Sequence, residues 1–369
     1  MKKQTLILIA FILIALHALI FFVVMGHKTK PIAHKSVPTS AISKKKPLKT
    51  KPTKPQKDAF FEGFNSSSVT SETNPKPVEK KAPAPRKIIS PLKNRAGGLR
   101  NDLPNRRTTK IYSKLVRNPY RGAIVVDAKT GQILFKDHET SYAYPASVTK
   151  LMTLIIVLDH INSGQIHLTD KVKITNEIAK IGGSQIWLDP KEKNFTVDDM
   201  LYALMVHSAN DAAYALALHV AGTRDQFVAM MNQKACELGM NATRYHSPHG
   251  LPPSRGQPDI STPYDIALLS LAALRYPQTL HYTHTELKYL RNGKTMMATR
   301  NKLVRKSGGY PGCDGLKTGY HGKGGWSIAA TAQRGNHRIV AVLLGCPDKK
   351  TRMAQARKLL DKGFEALEK

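Results

Sequence analysis

Cysteine is scarce in this sequence, and the scarcity excludes several classes of protein. Only three of the 369 residues are cysteine, at Cys236, Cys313 and Cys346. Three thiols cannot all pair within one chain, and their spacing fits neither a disulfide framework nor a metal site. If the last three predicted strands form a meander, Cys313 and Cys346 lie at opposite ends of the sheet, about 20–30 Å apart. We therefore predict buried free thiols, no metal site and no cofactor.

Acidic residues are also few, and the resulting positive charge is uneven. The chain has 26 Asp and Glu against 57 Lys and Arg, a formal net charge of +31. Residues 28–110 hold 21 Lys and Arg against 5 Asp and Glu, together with 11 of the 22 prolines. Such a segment buries too little apolar surface to offset its chain entropy, so residues 26–110 are predicted to be a basic, Pro/Lys-rich disordered linker.

The charge of this linker has two interpretations. It would attract a polyanion such as anionic lipid, a wall polymer or nucleic acid, or it would act only as a solvated spacer. Its aromatic residues are confined to one cluster, Phe60, Phe61 and Phe64. Because binding of single-stranded nucleic acid relies on aromatic stacking, no nucleic-acid partner is expected.

Long apolar runs are absent except at the N-terminus. Residues 6–25 contain one polar residue, His17, and are long enough to cross a bilayer as a helix. No small-x-small cleavage pattern follows, which favours an uncleaved anchor over a cleaved signal peptide. If the domain that follows is exported, residues 1–5 lie in the cytoplasm. The lysines after the span favour the opposite orientation, but long domains are exported largely regardless of charge.

From residue 111 to 369 the composition is that of a globular domain. Short β-rich runs at 123–127 and 132–135 flank a turn, and further β runs follow at 314–318, 326–333 and 338–344. The sequence between them is mostly helical, and a final helix is predicted over 351–367. Strands at both ends predict an α/β (α+β) fold. Its single antiparallel sheet would be built from both ends of the domain, flanked by helices, with a mostly helical subdomain inserted.

Helix boundaries inside the inserted subdomain follow from capping residues. Thr196 is followed three positions later by Asp199, and Thr223 by Gln226, so each pair can form an N-terminal cap. Thr262 precedes a proline in the first turn of another helix. We predict that the second of these helices ends at Gly239 and that Pro277 ends the third.

The sequence Ser147-Val148-Thr149-Lys150 follows the predicted hairpin and opens an apolar helix over 151–160. Residues three apart lie on one helix face, about 5–6 Å apart at their Cβ atoms. This spacing suits a serine nucleophile whose base is a lysine. Two other Ser-x-x-Lys copies, at Ser43 and Ser90, lie in Lys/Pro-rich sequence without helical periodicity.

Two more short motifs follow in the globular region. Ser208-Ala209-Asn210 lies between two predicted helices. Lys317-Thr318-Gly319 lies on a predicted strand, where a glycine often marks the close approach of another backbone. An earlier Lys-Thr-Gly, beginning at Lys129, is part of the hairpin turn and is assigned no chemistry.

In this order, the motifs resemble the low-molecular-mass penicillin-binding proteins, the D-alanyl-D-alanine carboxypeptidase family of serine peptidases. The residues that carry the resemblance are 145–153, 208–212, 250–252, Ser261 and Thr262 with Asp265, and 314–320. The resemblance covers residues 111–369 and implies a β-lactamase/transpeptidase-like catalytic domain. Relatives often have threonine shortly after the glycine, whereas this chain has Tyr320-His321-Gly322.

The resemblance implies a role for each motif residue. Ser147 would be the nucleophile and Lys150 its base, which requires a lysine pKa lowered by burial and by nearby positive charge from Lys317. Ser208 would relay a proton to the leaving amine, and Asn210 would hold the substrate amide. Lys317 and Thr318 would bind the substrate carboxylate, and Gly319 would let the substrate approach the strand. The backbone N–H groups of Ser147 and Tyr320 would form the oxyanion hole.

The implied activity is removal of the terminal D-alanine from peptidoglycan stem pentapeptides, with β-lactam antibiotics as covalent inhibitors. A D,D-endopeptidase that cleaves cross-links uses the same residues and is favoured slightly because the chain ends one helix after its last strand. A serine β-lactamase needs a water-activating residue, and the nearest Glu-x-x-Leu-Asn-like string, Glu237 to Asn241, has the wrong spacing. An anchored, non-catalytic wall-binding protein is the third alternative. The substrate implies a single-pass protein of the bacterial cytoplasmic membrane with an extracytoplasmic, periplasmic domain.

Overall fold

Strands from both ends of the globular region pair in one antiparallel sheet, as predicted. A computed structural model describes residues 113–252 and 257–368, so the predicted N-terminus, anchor and linker lie outside the described residues. Within these ranges the strands are β1 (Gly122–Asp127), β2 (Ile133–Asp137), β3 (Leu287–Leu290), β4 (Thr295–Ala298), β5 (Cys313–His321), β6 (Gly325–Arg334) and β7 (His337–Cys346). The main sheet has the order β2-β1-β7-β6-β5, so β5 is an edge strand.

Helices cover both faces of this sheet. In the described ranges they are α1 (Lys150–Asn162), α2 (Asn176–Ala179), α3 (Val197–Tyr202), α4 (Asn210–Ala221), α5 (Arg224–Glu237), α6 (Pro263–Ala273), α7 (Pro277–Thr283) and α8 (Lys349–Leu367). Helices α1 to α7 belong to the segment between β2 and β5, which is the predicted helical insertion. Among the described residues, none of these helices combines the length and apolar character needed to span a membrane.

Strand β1 explains why the sheet is buried on both faces. Its alternate residues enter different hydrophobic clusters: Ile124 and Val126 pack with the inserted helices, and Ala123 and Val125 pack with α8. Gly363 of α8 lets this helix approach the sheet, because a Cβ there would lie 2.7 Å from Val125 Cγ1. The first and last elements of the domain therefore share one core.

Several boundaries differ from the sequence predictions. The helix that begins after Thr262 ends at Ala273, and Pro277 starts α7 rather than ending the earlier helix. Proline fits the first turn of a helix because its missing N–H has no intrahelical partner there. The capping box at Thr196 is confirmed, but α3 changes at Ala203 into a five-residue π-helical turn.

The two-stranded hairpin of β3 and β4 was not predicted from the sequence. Its strands pair antiparallel, with Leu287 opposite Ala298 and Tyr289 opposite Met296. The connecting turn contains Asn292 and Gly293, both with positive φ. Asn-Gly between short alternating runs is a strong hairpin signal, so this element could have been found.

The cysteine prediction is correct for two residues and wrong for the third. All three thiols are free, and Cys313 and Cys346 are buried. Cys313 pairs with Ala332 and Cys346 with Trp326, near opposite ends of β6. Cys236 is exposed, because it lies on the solvent side of α5.

Candidate active site

Ser147 lies in a tight turn that leads into α1. Residues Ala146–Thr149 form a 3₁₀ turn, and Ala146 has φ +51°, a left-handed conformation that is uncommon outside glycine. The turn brings Ser147 beside the first residue of α1, Lys150, and Lys150 Nζ lies 3.0 Å from Ser147 Oγ. The predicted nucleophile and base are therefore in hydrogen-bond contact.

Two glycines allow neighbouring backbone to pack closely against this turn. A Cβ on Gly319 would lie 2.5 Å from the Pro145 carbonyl oxygen and 3.2 Å from the Ser147 nitrogen. A Cβ on Gly250, whose φ is +93°, would lie 2.0 Å from the Ala146 carbonyl oxygen. The backbone that approaches Gly319 is thus the turn Ala146–Thr149, the nucleophile turn, which carries the predicted nucleophile. This close approach is a further reason for glycine in the Lys-Thr-Gly motif.

Lys150 is completely buried, and its Nζ atom has three oxygen neighbours. Besides Ser147 Oγ, these are Asn210 Oδ1 at 2.6 Å and the His249 carbonyl oxygen at 2.8 Å. Burial, followed by the charge of Lys317, lowers the Lys150 pKa well below its usual value. Asp259 and Asp211 act in the opposite direction, but the direction of the shift is downward.

These contacts indicate how a neutral lysine would be oriented. A neutral amine has two N–H donors and one lone pair, whereas an ammonium has three donors. Asn210 Oδ1 and the His249 carbonyl accept hydrogen bonds only, so they take the two N–H groups. The lone pair is then left for the hydroxyl proton of Ser147, as a general base requires.

Asn210 contacts Lys150 and the loop around residue 182. Its Oδ1 accepts from Lys150, and its Nδ2 donates to the Gly182 carbonyl oxygen at 2.8 Å. The next residue, Asp211, is buried and accepts from the backbone N–H groups of Ile186 and Leu188 at 3.1 and 3.2 Å. The motif therefore also attaches the loop around 182–188 to the site.

Ser208 is presented by the end of the π-helical turn. It has φ +64° and ψ +32°, a strained left-handed conformation of the kind found at functional sites. Its Oγ accepts a hydrogen bond from Lys317 Nζ at 2.8 Å. Ser208 thus joins the helical insertion to strand β5.

Lys317 is buried among other positive charges. Desolvation is the largest cause that lowers its pKa to about 7, and the charges of Arg352 and Arg300 lower it further. Arg352 is itself buried, and its contacts to the carbonyl oxygens of Gly319 and Ser327 are long, at 3.5 and 3.4 Å. Within the described residues, its Nε has no hydrogen-bond partner. The two buried cations, Lys317 and Arg352, together with the exposed Arg300, create a site suited to an anion.

The rest of the predicted substrate-binding residues lie along the edge strand. Thr318 is buried and its carbonyl accepts from Lys317 Nζ at 3.0 Å. Tyr320 is exposed at its side chain, which packs on Trp326 with ring centroids 4.4 Å apart. Because β5 has no strand on its outer side within the main sheet, an extended peptide could pair with it.

The predicted residues converge on one site, and sequence reasoning missed several residues that position them. Asp259 accepts hydrogen bonds from the Thr149 hydroxyl at 2.8 Å and from the His246 and Ser247 N–H groups at 2.7 and 3.1 Å. It therefore ties the nucleophile turn to the loop that offers the His249 carbonyl. No spacing in the sequence links residue 149 with residue 259, so only the fold reveals this contact.

The described residues hold no group of three or more His, Cys, Asp or Glu side chains that could bind a metal. Burial lowers the pKa of His249 to about 3, and its ring Nδ1 accepts from the Leu251 N–H at 3.1 Å. The side chains that the site brings together include two serines and two lysines, Ser147, Ser208, Lys150 and Lys317.

Comparison with known proteins gives a consistent picture. Residues 118–348 match the model of the peptidase S11 family, described as D-alanyl-D-alanine carboxypeptidase. The chain is 36% identical over 251 residues to the D-alanyl-D-alanine carboxypeptidase DacF of Bacillus subtilis, covering 67% of this chain and 63% of that protein. It is 33% identical over 254 residues to DacC of Escherichia coli, covering 67% of this chain and 62% of that protein. The chain thus spans a little under two thirds of these curated relatives.

Solved structures show the same fold. Penicillin-binding protein 6B from Escherichia coli is 31% identical, with a TM-score of 0.61, over 69% of this chain and 82% of that one. Penicillin-binding protein D2 from Listeria monocytogenes, in a cefotaxime-bound form, is 27% identical with a TM-score of 0.61, over 69% of this chain and 98% of that one. The matched family model covers more than half of the chain and includes every predicted site residue. The chain belongs to the peptidase S11 family of D-alanyl-D-alanine carboxypeptidases, with a β-lactamase/transpeptidase-like fold.

Proposed function

We propose that the protein is a serine-type D-Ala-D-Ala carboxypeptidase, which removes the terminal D-alanine from peptidoglycan stem pentapeptides through an acyl-enzyme. The observation that carries the proposal is the fully buried Lys150 amine, 3.0 Å from Ser147 Oγ and with a lowered pKa. A lysine in this state has no structural advantage, because burial of an ammonium is costly. It is well suited to take a proton from a serine.

The reaction follows from this geometry. Neutral Lys150 takes the Ser147 hydroxyl proton as Oγ bonds to the carbonyl carbon of the D-Ala-D-Ala bond. The backbone N–H groups of Ser147 and Tyr320 would stabilise the oxyanion, each typically by about 2.7–4 kcal/mol. The C–N bond then breaks, and the leaving amine receives a proton by way of Ser208. Water hydrolyses the ester and restores Ser147.

The buried cations provide the recognition of a free carboxylate. Lys317, with Thr318, would bind the C-terminal carboxylate of the substrate, and Arg352 would add charge from behind β5. A β-lactam carries a carboxylate near its reactive carbonyl, and the cefotaxime-bound relative supports β-lactams as covalent inhibitors of this site.

The test uses the full chain and its Ser147→Ala variant. We expect the wild type to release D-alanine from a stem pentapeptide and to gain the mass of one penicillin molecule at Ser147, detected by mass spectrometry. The variant should do neither, while its thermal unfolding temperature changes little. Unlabelled wild type with an intact fold would instead favour the non-catalytic wall-binding alternative.

We further propose that residues 6–25 anchor the protein in the bacterial cytoplasmic membrane with its catalytic domain outside. The support is the 20-residue apolar run and the extracytoplasmic position of peptidoglycan. In this arrangement the basic linker of residues 26–110 would extend from the membrane towards the wall.

A further inference from the structure

One face of the β3–β4 hairpin is apolar and open to solvent. Leu287 lies opposite Ala298, and Tyr289 lies opposite Met296. Opposed residues and residues two apart point the same way, so these four form one face, here called the hairpin face. Leu287, Tyr289 and Met296 are 50%, 54% and 58% exposed. An antiparallel sheet that packs one face on a core normally has polar residues on its other face, so this composition is unusual.

The reverse side of the hairpin packs onto the domain. Leu290 and Met297 point to that side and are buried. Lys288 points the same way, and its Nζ lies 3.8 Å from the centre of the Tyr202 ring. The hairpin face is therefore held outward by the packing of its reverse side.

Trp187 extends the apolar surface beyond the hairpin. Its side chain is 75% exposed, and it lines a cavity of about 580 Å³ together with Met296 of the hairpin face. Its carbonyl accepts from Arg291 Nη2 at 3.0 Å, and Arg291 pairs with Glu192 at N–O distances of 2.6 and 2.9 Å. Six large hydrophobic side chains are exposed among the described residues, and four of them belong to this surface. Exposed apolar residues that are grouped rather than scattered mark a surface for a partner or a membrane.

The hairpin and the segment after it are rich in cations and lack acids. Residues 287–313 contain seven Lys and Arg and no Asp or Glu. Lys294 is exposed in the turn between the strands, and Arg300 and Lys302 are exposed just after β4. Exposed positive charges therefore lie beyond both ends of the hairpin face.

This combination restricts what can cover the surface. A second copy of the chain would bring an equally positive face against it, and residues 26–110 of the same chain are also strongly basic, so both would be repelled. A polar wall polymer would satisfy the cations but would gain nothing from the exposed apolar side chains. A bilayer with anionic lipid suits both features, because its headgroups attract Lys and Arg, and Trp and Tyr pack favourably at headgroup level.

We propose that the hairpin face, together with Trp187, is a docking surface for a bilayer that contains anionic lipid. The exposed apolar side chains enter the headgroup region, and the flanking cations meet lipid phosphates. The proposed anchor at residues 6–25 only tethers the chain, whereas this surface would fix how the domain stands on the membrane. Arg300 Nε also lies 3.3 Å from the carbonyl oxygen of His207, the residue before Ser208, so docking would bring the active site close to the membrane.

Tryptophan fluorescence tests this docking, because the chain has only two tryptophans, Trp187 and Trp326. The full-length protein is reconstituted into vesicles of phosphatidylglycerol and phosphatidylcholine, with and without bromine on the acyl chains as a short-range quencher. We expect bromine to quench the wild type, and to have little effect on Trp187→Phe, which reports Trp326 alone. In pure phosphatidylcholine the protein should still float with the vesicles through residues 6–25, but the quenching should fall.

Two pairs of variants separate the apolar and charged contributions. Tyr289→Ser should reduce the quenching of Trp187, whereas Leu168→Ser, at an exposed apolar residue outside the surface, should not. Lys294→Gln should weaken docking about fivefold, the effect of one cation near an anionic bilayer. Lys129→Gln is its matched control, because Lys129 is an exposed lysine in the turn between β1 and β2.

Equal quenching of the wild type and Trp187→Phe in the anionic vesicles would overturn the proposal, as would quenching that is independent of phosphatidylglycerol. An unquenched wild type that forms a cross-linked dimer, with the dimer lost in Tyr289→Ser, would assign the hairpin face to a second copy of the chain. None of these outcomes bears on the proposed function, because release of D-alanine from a soluble pentapeptide is measured without vesicles.

Discussion

Two buried lysines with different partners explain most of the chemistry proposed for this site. Lys150 contacts two oxygens that only accept hydrogen bonds and one hydroxyl, that of Ser147, which can donate to its lone pair, so its neutral form is well accommodated. Lys317 contacts Ser208 and lies near the buried guanidinium of Arg352, so an incoming carboxylate would relieve the repulsion between the two cations. Burial and nearby positive charge lower both pKa values. We expect the substrate carboxylate to keep Lys317 charged, while Lys150 acts in its neutral form.

This division predicts a bell-shaped pH dependence of kcat/KM. Acylation needs neutral Lys150, so the rate rises as pH increases through the lowered pKa of Lys150. Carboxylate binding needs charged Lys317, so kcat/KM falls as pH increases through about 7, the pKa of Lys317.

The measurement is D-alanine release at substrate concentrations far below and far above KM. Bound carboxylate favours charged Lys317, so the falling limb of kcat should lie at higher pH than that of kcat/KM. A profile for kcat/KM that rises steadily beyond pH 9 would rule out this role for Lys317.

At the scale of elements, the site is assembled by contacts between segments far apart in the sequence. The 3₁₀ turn before α1, the π-helical turn before α4 and the edge strand β5 each contribute one motif. Their relative positions depend on close backbone packing, above all where β5 meets the nucleophile turn at Gly319.

Replacing Gly319 by alanine should therefore strongly reduce the proposed activity without unfolding the domain. The added Cβ would lie 2.5 Å from the Pro145 carbonyl oxygen, so the turn or the strand must shift. A displacement of about 1 Å at a nucleophile can reduce the rate about 100-fold. Overpacking of this kind typically costs about 1–3 kcal/mol of stability.

The rate of penicillin acylation and the thermal unfolding temperature measure these two effects. Gly322→Ala is the control, because a Cβ there meets no atom within 4 Å and the residue is near the same strand. Equal acylation rates for the two variants would show that the packing at Gly319 is unimportant.

At the scale of the whole molecule, the first and last strands of the domain pair with each other. Strand β1 lies between β2 and β7, with Val125 opposite Ala341. The fold can therefore be completed only after β7 has been made, and the whole domain must be on one side of any membrane that the chain crosses.

This topology gives the proposed orientation a direct test. A reporter enzyme fused after Lys369 should be active when it works only outside the cytoplasm and inactive when it works only inside. Removal of residues 1–25 should reverse both results, because the apolar run is the proposed export and anchoring signal. Cytoplasmic activity of the full-length fusion would contradict the proposed location.

Much of the site was predictable because its motifs are local patterns. A serine and a lysine three positions apart must be close on any helical turn, and a strand places Lys317 beside Thr318. The sheet built from both ends followed from the order of β and helical runs. The hairpin of β3 and β4 was missed although Asn292-Gly293 signalled a turn, since its exposed Leu287 and Tyr289 obscure the usual alternation.

By itself, the sequence determined the order of the motifs and the architecture of the sheet, and it singled out Ser147 and Lys150 as the proposed nucleophile and base, because each of these depends on residue type and short-range spacing. Only the tertiary structure decided that Asn210 contacts Lys150, that Asp259 ties two loops together, that Arg352 is buried behind β5, and that Cys236 is exposed. These features depend on which distant segments pack together, and that packing is set by the burial of the whole core rather than by any short stretch of the chain.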